Sequence, residues 1–216
     1  MEIIIMKNIL NRNQDKANEV RSIMKEKNIT MINLVSSPGA GKTTLLERIC
    51  ERITGRFRAG IIEGDVTTDR DAQRLKKFGI PIVVINTEGG CHLDSHSIYK
   101  VLGYFDLDNL DVLFVENVGN LVCPAAFDLG ESFRIAIVSV PEGDDKPAKY
   151  PMLFRQAKAI ILNKIDLLHH TNFNMKNFTG DLRKINPSSP LFKVSCTKEA
   201  GIVEFMEWLG KQIKAV

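Results

Sequence analysis

Apolar and polar positions along this chain follow two alternating periods, and their order predicts an architecture. From Asn8 to Lys27 the apolar residues Ile9, Leu10, Ala17, Val20, Ile23 and Met24 recur at helical spacing, with a polar opposite face. Thr30–Val35 is a short apolar run of strand type, and it ends at Ser36-Ser37-Pro38-Gly39. Leu45, Leu46, Ile49 and Ile53 then form one stripe of a helix that begins inside the glycine loop. Strand-like runs recur at Ala59–Glu63, Ile82–Ile85, Val112–Val115, Arg134–Val140, Ala159–Leu162 and Leu191–Val194. Between them the spacing predicts helices near Arg70–Phe78, Asp94–Phe105, Met175–Ile185 and Glu199–Lys214. Strands alternating with helices imply parallel βαβ units covered on both sheet faces. No repeat, low-complexity tract or linker interrupts the alternation. The expectation is an α/β fold, a mostly parallel sheet flanked by helices, forming a single domain over 1–216. Within it, residues 1–28 form an N-terminal strand and helix extension packed on the rest.

Composition changes this picture little. A net charge of +3 over 216 residues, without a dense Lys/Arg tract, gives no sign of a nucleic-acid partner. The longest apolar runs fall far short of a membrane span. Met1–Met6 is apolar but lacks a basic n-region, so it reads as a first strand or a packed terminus rather than a secretion signal. Cys50, Cys91, Cys123 and Cys196 lie on separate segments, unlike a disulfide scaffold, and a reducing cytoplasm is the expected setting.

The chemistry begins at Ser36–Thr44, which follows a strand and opens a helix, as a phosphate-binding loop must. Gly39, Ala40 and Gly41 bring backbone N–H groups to phosphate oxygens, and the glycines keep side chains out of the way. Lys42 can reach the β- and γ-phosphates, Thr43 can place its hydroxyl on Mg²⁺, and Thr44 continues the helix N-terminus. Ser36 stands where the consensus has its first glycine.

Asn163-Lys164-Ile165-Asp166 sits at the end of the run Ala159–Leu162, on the strand end where ligands bind in α/β sheets. The Asp166 carboxylate can accept from the N1–H and exocyclic amine of guanine, which adenine does not offer. Lys164 can lie along the base, and Asn163 can fasten this loop to the phosphate loop. Ser195 and Cys196 follow another strand, either as a base-lining loop or as a polar turn before the last helix. Together these motifs point to GTP and GDP.

Glu116 ends one strand and Asp65 another, so both carboxylates are candidates for Mg²⁺, directly or through water. Thr68, Asp69 and Asp71 follow in a stretch able to move with the γ-phosphate. Asp71 is the candidate for orienting the attacking water, beside Lys42 and Glu116 as the other catalytic groups. Helix capping is the alternative reading of Asp69 and Asp71.

A second set of residues carries metal chemistry. Cys91-His92 and Cys123 lie just beyond the strand ends Ile85 and Val115, on the side of the sheet where nucleotide is expected. Two thiolates and an imidazole suit Ni²⁺ or Zn²⁺, and His96 can add a fourth donor. The alternative is that Cys91 and Cys123 are small buried hydrophobes and His92 a helix cap. The pattern alone leaves both readings open.

Six segments together resemble a known family: Ser36–Thr44, Glu63–Ala72, Gly89–Asp94, Glu116–Pro124, Pro141–Pro151 and Asn163–Asp166. They are similar to HypB, the GTPase family that helps load nickel during maturation of [NiFe] hydrogenases. The resemblance implies a P-loop NTPase fold of SIMIBI type, slow GTP hydrolysis and a GTP-dependent homodimer. It also implies a metal site at the subunit interface, with ligands at Cys91, His92 and Cys123. A nickel-delivery protein and the hydrogenase large subunit are the implied partners. Lys146 or Lys149, in the segment Pro141–Pro151, is expected to reach nucleotide on the partner subunit. Some HypB proteins also carry an N-terminal cysteine motif or a histidine-rich stretch. These 216 residues contain neither, and that second metal function is not carried over.

Two rival readings stand beside this one, and a third is disfavoured. A UreG-like urease nickel chaperone would show Cys-Pro-His where this chain has Cys91-His92-Leu93. A plain regulatory GTPase would use both cysteines as core residues. A kinase is disfavoured by the guanine-type loop.

Overall fold

The computed structural model describes residues 2–65 and 70–214, with side chains over 11–64 and 72–213. A helix α1 (Glu2–Glu26) precedes β1 (Thr30–Ser36), α2 (Lys42–Ile53), β2 (Ala59–Asp65), α3 (Arg70–Leu75), β3 (Ile82–Asn86) and α4 (Ser95–Val101). Next come β4 (Val112–Glu116), α5 (Cys123–Ala126), β5 (Phe133–Ser139), α6 (Lys146–Lys149) and α7 (Pro151–Gln156). The chain then forms β6 (Ala157–Asn163), α8 (Met175–Ile185), β7 (Leu191–Lys193) and α9 (Ile202–Lys214).

The seven strands form one sheet in the order β3-β2-β4-β1-β5-β6-β7, and every neighbouring pair is parallel. The strand alternation divides the core. Ile32 and Leu34 of β1 pack with Leu45, Leu46 and Ile49 of α2 and Phe205 and Leu209 of α9. On the other face Met31 packs with Val20 and Met24 of α1 and Ile98 of α4. Val35 joins Leu153 and Phe154 of α7 and Phe178 and Leu182 of α8. Each large apolar side chain so buried contributes about 1.5–3 kcal/mol. From β1 the chain winds to one edge through β2 and β3, returns to β4, then crosses to β5, β6 and β7. The loop leaving β1 therefore sits where the winding reverses, the position at which parallel sheets open a crevice.

The strands and the helices α2, α4, α8 and α9 fall where the apolar spacing predicts them. Met1–Met6 does not behave as a strand: from Glu2 the backbone is already the first part of α1. Asp94 caps α4, its carboxylate accepting from Ser97 N at 2.7 Å, and the helix yields after Val101 to a 3₁₀ turn over Leu102–Tyr104. Three short helices, α5, α6 and α7, have no counterpart in the sequence reading. Each starts with a proline in its first turn (Pro124, Pro147, Pro151), where the fixed φ favours helix and the missing N–H costs nothing. At four to six residues they are too short to show a period.

Candidate functional site

The loop from β1 to α2 wraps a cavity of about 500 Å³. Its lining includes Gly39, Gly41, Lys42, Thr43, Thr44, Glu63, Arg74, Glu116 and Lys164. Gly41 precedes the first residue of α2 with φ 95°, a left-handed conformation costly for other residues. A Cβ there would also lie 2.4 Å from Asn163 Nδ2, so neither the backbone nor the neighbour tolerates a side chain. Lys42 Nζ donates to Ser36 Oγ at 3.0 Å, which gives the serine at the first motif position a partner inside the loop. Ser37 Oγ donates to Glu142 Oε1, and the other oxygen of that carboxylate accepts from Ser139 N and Oγ.

Asn163, at the C-terminal end of β6, holds two loops at once. Its Nδ2 donates to Ala40 O at 2.9 Å, and its Oδ1 accepts from Cys196 N at 3.2 Å. Lys164, with φ 60°, extends its Nζ to Gly39 O at 2.7 Å. The sequence expectation that Asn163 fastens its loop to the phosphate loop is met by this geometry. Asp166 is exposed in the turn that follows. Ser195 and Cys196 are buried beneath Asn163, and burial pushes the Cys196 thiol up to about 12.

Thr43 Oγ1 donates to Glu116 Oε1 at 2.7 Å. The strand register sets Glu63 of β2 directly opposite Glu116 of β4, so two buried carboxylates line the cavity side by side. Glu63 was not singled out in the sequence, because one acid after Ile62 reads as an ordinary strand end. Arg74 was missed too. It reaches from α3 to Thr44 Oγ1 at 3.0 Å and Glu47 Oε2 at 2.6 Å. Asp65 is the last residue of β2, opposite Asn86. The side chains of Asp65 and Asp71, and Thr68 and Asp69 altogether, lie outside the described residues.

The loops beyond β3 and β4 bring Cys91, His92 and Cys123 together, with one ligand atom from each inside a mutual 4.8 Å. Cys91 Sγ lies 3.5 Å from His92 Nδ1. The His92 ring rests against Phe127, centroids 3.8 Å apart. Cys91 is raised above the usual thiol range, chiefly by its hydrogen bond with Cys123 and then by burial. Burial lowers the His92 imidazolium, which favours the neutral, ligand form. Asn120 Nδ2 donates to Cys91 O at 3.3 Å, a direct tie between the two loops. Gly64 at the end of β2 abuts Leu93, where a Cβ would stand 2.8 Å from the leucine side chain. Cys91 is exposed and Cys123 half-buried, unlike the buried Cys50 and Cys196, so the core reading fails for this pair. His96 is exposed on α4 and stands outside the group.

Residues 30–193 match the family described as CobW/HypB/UreG, nucleotide-binding domain. Hydrogenase maturation factor HypB of Azotobacter vinelandii is 45% identical over 208 residues, covering 96% of this chain and 69% of that protein. The chain belongs to the HypB family. Among solved structures, HypB from Helicobacter pylori in complex with nickel superposes with a TM-score of 0.87 at 36% identity, covering 94% of this chain and 95% of that one. HypB from Archaeoglobus fulgidus gives a TM-score of 0.88 at 37% identity, covering 94% and 99%. The resemblance drawn from six short segments thus extends over nearly the whole chain. With HypB comes the expected fold, a SIMIBI-type P-loop NTPase with an all-parallel sheet. The family match also establishes a nucleotide-binding domain.

Proposed function

We propose that this chain is a GTP-hydrolysing metallochaperone that assists nickel insertion into [NiFe] hydrogenase, with GTP-dependent dimerisation coupled to metal binding. The observation that carries the reading is a spacing. Cys123 lies seven residues beyond Glu116 on one loop, and that loop is tied to Cys91 through Asn120. A change at the γ-phosphate end of the loop therefore moves a metal ligand without an intermediary domain.

In this reading Gly39, Ala40, Gly41 and Thr44 cradle the phosphates, and Lys42 leaves Ser36 to stabilise charge on the β- and γ-oxygens. Asn163, Lys164 and Asp166 select guanine, with Ser195 and Cys196 supporting the loop. Thr43, Glu116, Glu63 and Asp65 supply the hydroxyl and carboxylate oxygens that suit Mg²⁺, and the Thr43–Glu116 pair already brings two of them within 2.7 Å. When bound, Mg²⁺ neutralises charge on the β- and γ-phosphates. Asp71 orients the water that attacks the γ-phosphorus, and GDP leaves, with slow turnover. Lys146, over the Tyr150 ring, or Lys149, in an exposed pair with Asp145, reaches nucleotide on the partner subunit in this reading.

The metal cargo is Ni²⁺, with Zn²⁺ as the competing ion, held by Cys91, His92 and Cys123. The nickel bound by the Helicobacter pylori relative supports this choice. Residues 1–216 act as a single GTPase domain, with α1 as an extension docked on α4 through Asn13 and Ser95. A nickel-delivery protein supplies the ion and the hydrogenase large subunit receives it. The four free thiols suit a reducing cytoplasm. Among the described residues no helix is long and apolar enough to cross a membrane.

Titrating Ni²⁺ into the wild type, Cys91→Ala and Cys123→Ala tests the reading. Stoichiometric binding lost in both variants supports the metallochaperone. Absent binding in the wild type reduces the protein to a plain GTP switch.

A further inference from the structure

β1 carries one residue that hydrophobic packing does not explain. Asn33 stands mid-strand between Ile32 and Leu34, with no exposed surface, where Val or Ile would fit a parallel strand better. Both ends of its amide are bonded. Oδ1 accepts from Asn117 Nδ2 at 3.2 Å, and Nδ2 donates to Glu131 Oε1 at 3.2 Å. These two bonds are the middle of a longer buried chain.

On one side, Asn117 Oδ1 accepts from Leu93 N at 3.1 Å, next to His92, and from Val118 N at 2.9 Å. Asn117 itself follows Glu116 and lines the phosphate cavity. On the other side, Glu131 Oε1 accepts from Arg134 Nη2 at 2.5 Å, and Glu131 Oε2 from Leu129 N at 2.8 Å. Arg134, opposite Asn33 in the strand register, ends the chain at α5. Its Nη1 donates to Ala125 O at 3.1 Å and lies 3.4 Å from Pro124 O, directly after Cys123, with Gln156 Oε1 at 2.6 Å beside it. The network thus begins one residue from His92, passes the residue after Glu116, and finishes one residue from Cys123.

We propose that Asn33, Glu131 and Arg134 are positioning residues for the metal site, forming a buried relay that sets the two cysteine loops according to the state of the Glu116–Asn117 strand end. The relay rests on the reading that nucleotide and metal binding are coupled in this protein. A continuous polar network in a low-dielectric core admits few arrangements, because a shifted member strands its neighbours without partners. A movement of Asn117 therefore changes the Leu93 N–H bond directly, and reaches the α5 carbonyls through Asn33, Glu131 and Arg134. Asn33 and Arg134 lie on the sheet face away from α2, and neither they nor Glu131 line the phosphate cavity or ligate the metal, so these three can be changed without replacing a residue of either site.

The test is the ratio of Ni²⁺ affinities measured with GDP and with a nonhydrolysable GTP analogue. In the wild type the ratio is expected to be on the order of tenfold. In Asn33→Leu and in Arg134→Lys it falls to within about twofold of unity. Dissociation of GDP without metal stays within about threefold of wild type in both, since neither residue reaches the cavity. Lysine keeps the charge facing Glu131 but lacks the fork that reaches the carbonyls, so Arg134→Lys carries the test if Asn33→Leu fails to fold. Val35→Ala, which opens a cavity in β1 outside the network, retains the wild-type ratio. A wild-type ratio of one overturns both the coupling and the relay. A wild-type ratio that survives in the folded relay variants, or that Val35→Ala abolishes equally, overturns the relay and leaves the coupling standing.

Discussion

Thr43 Oγ1 and Glu116 Oε1 are 2.7 Å apart at the floor of the phosphate cavity, and Glu63 lies beside Glu116 in the strand register. A hydroxyl and two buried carboxylates beneath the glycine loop form a hard-oxygen set lining the phosphate cavity. Glu116→Gln keeps the shape and removes the charge. Its GTP hydrolysis rate is expected to fall about 100-fold, with GDP binding in the absence of magnesium little changed. Single-turnover hydrolysis with and without Mg²⁺ checks this, and an unaltered rate would remove Glu116 from the machinery.

Asn163 joins three segments through Ala40, Cys196 and its own Lys164 N–H. Asn163→Ala leaves a buried carbonyl and a buried N–H without that partner, a loss of about 1–3 kcal/mol. GDP affinity is expected to weaken by about 10- to 100-fold, the same energy expressed as binding. Fluorescent GDP titration measures it. Equal affinity would show that the phosphate loop holds its form unaided.

These two sites show where sequence was readable and where it was not. The motifs at Ser36–Thr44 and Asn163–Asp166 are continuous, so their chemistry is legible without coordinates. The central strands β1, β4 and β5 are legible because their apolar runs are buried on both faces. Glu63 was missed because its meaning depends on register with Glu116, a residue more than fifty positions away. Cys91 and Cys123 meet across β2, and only the order β3-β2-β4 puts their loops side by side. Asn33 carries no signal within the run Thr30–Val35, since its partners come from the loop after β4 and from the turn before β5. The strand alternative for Met1–Met6 fails from Glu2 onward, because a short apolar stretch carries no period to separate strand from helix.

Thiol chemistry separates the metal pair from the other cysteines. Burial pushes Cys50 and Cys196 up to about 12, so neither offers appreciable thiolate at pH 8. Iodoacetamide on the native protein is expected to label Cys91 first and Cys123 next, and prior addition of Ni²⁺ to protect both. Peptide mass mapping reads the outcome. Rapid labelling of Cys196, or no protection by nickel, would contradict the assignment.

Asp128 ties α1 to the loop after α5. Burial alone would raise its carboxyl, but the Arg21 guanidinium, Gly130 N–H and Gln14 amide outweigh it and lower the group from 3.8 to about 2. A depressed folded-state value stabilises the fold above the unfolded value, and that contribution disappears as pH falls through the folded one. Arg21→Met should cost about 1 kcal/mol at pH 7, after discounting for solvent screening of a partly exposed pair. The difference from wild type should shrink between about pH 4 and 2. Urea unfolding across that range tests the sign; a constant difference would assign the loss to packing rather than charge.

The central claim is that nucleotide state governs both assembly and the metal site built on Cys91, His92 and Cys123. Its most direct test is the mass in solution, by light scattering, with GDP or a nonhydrolysable GTP analogue, each with and without Ni²⁺. The account predicts the mass of one chain with GDP, that of two with the analogue, and nickel retained to different extents in the two states. One mass and one nickel stoichiometry under all four conditions would contradict it.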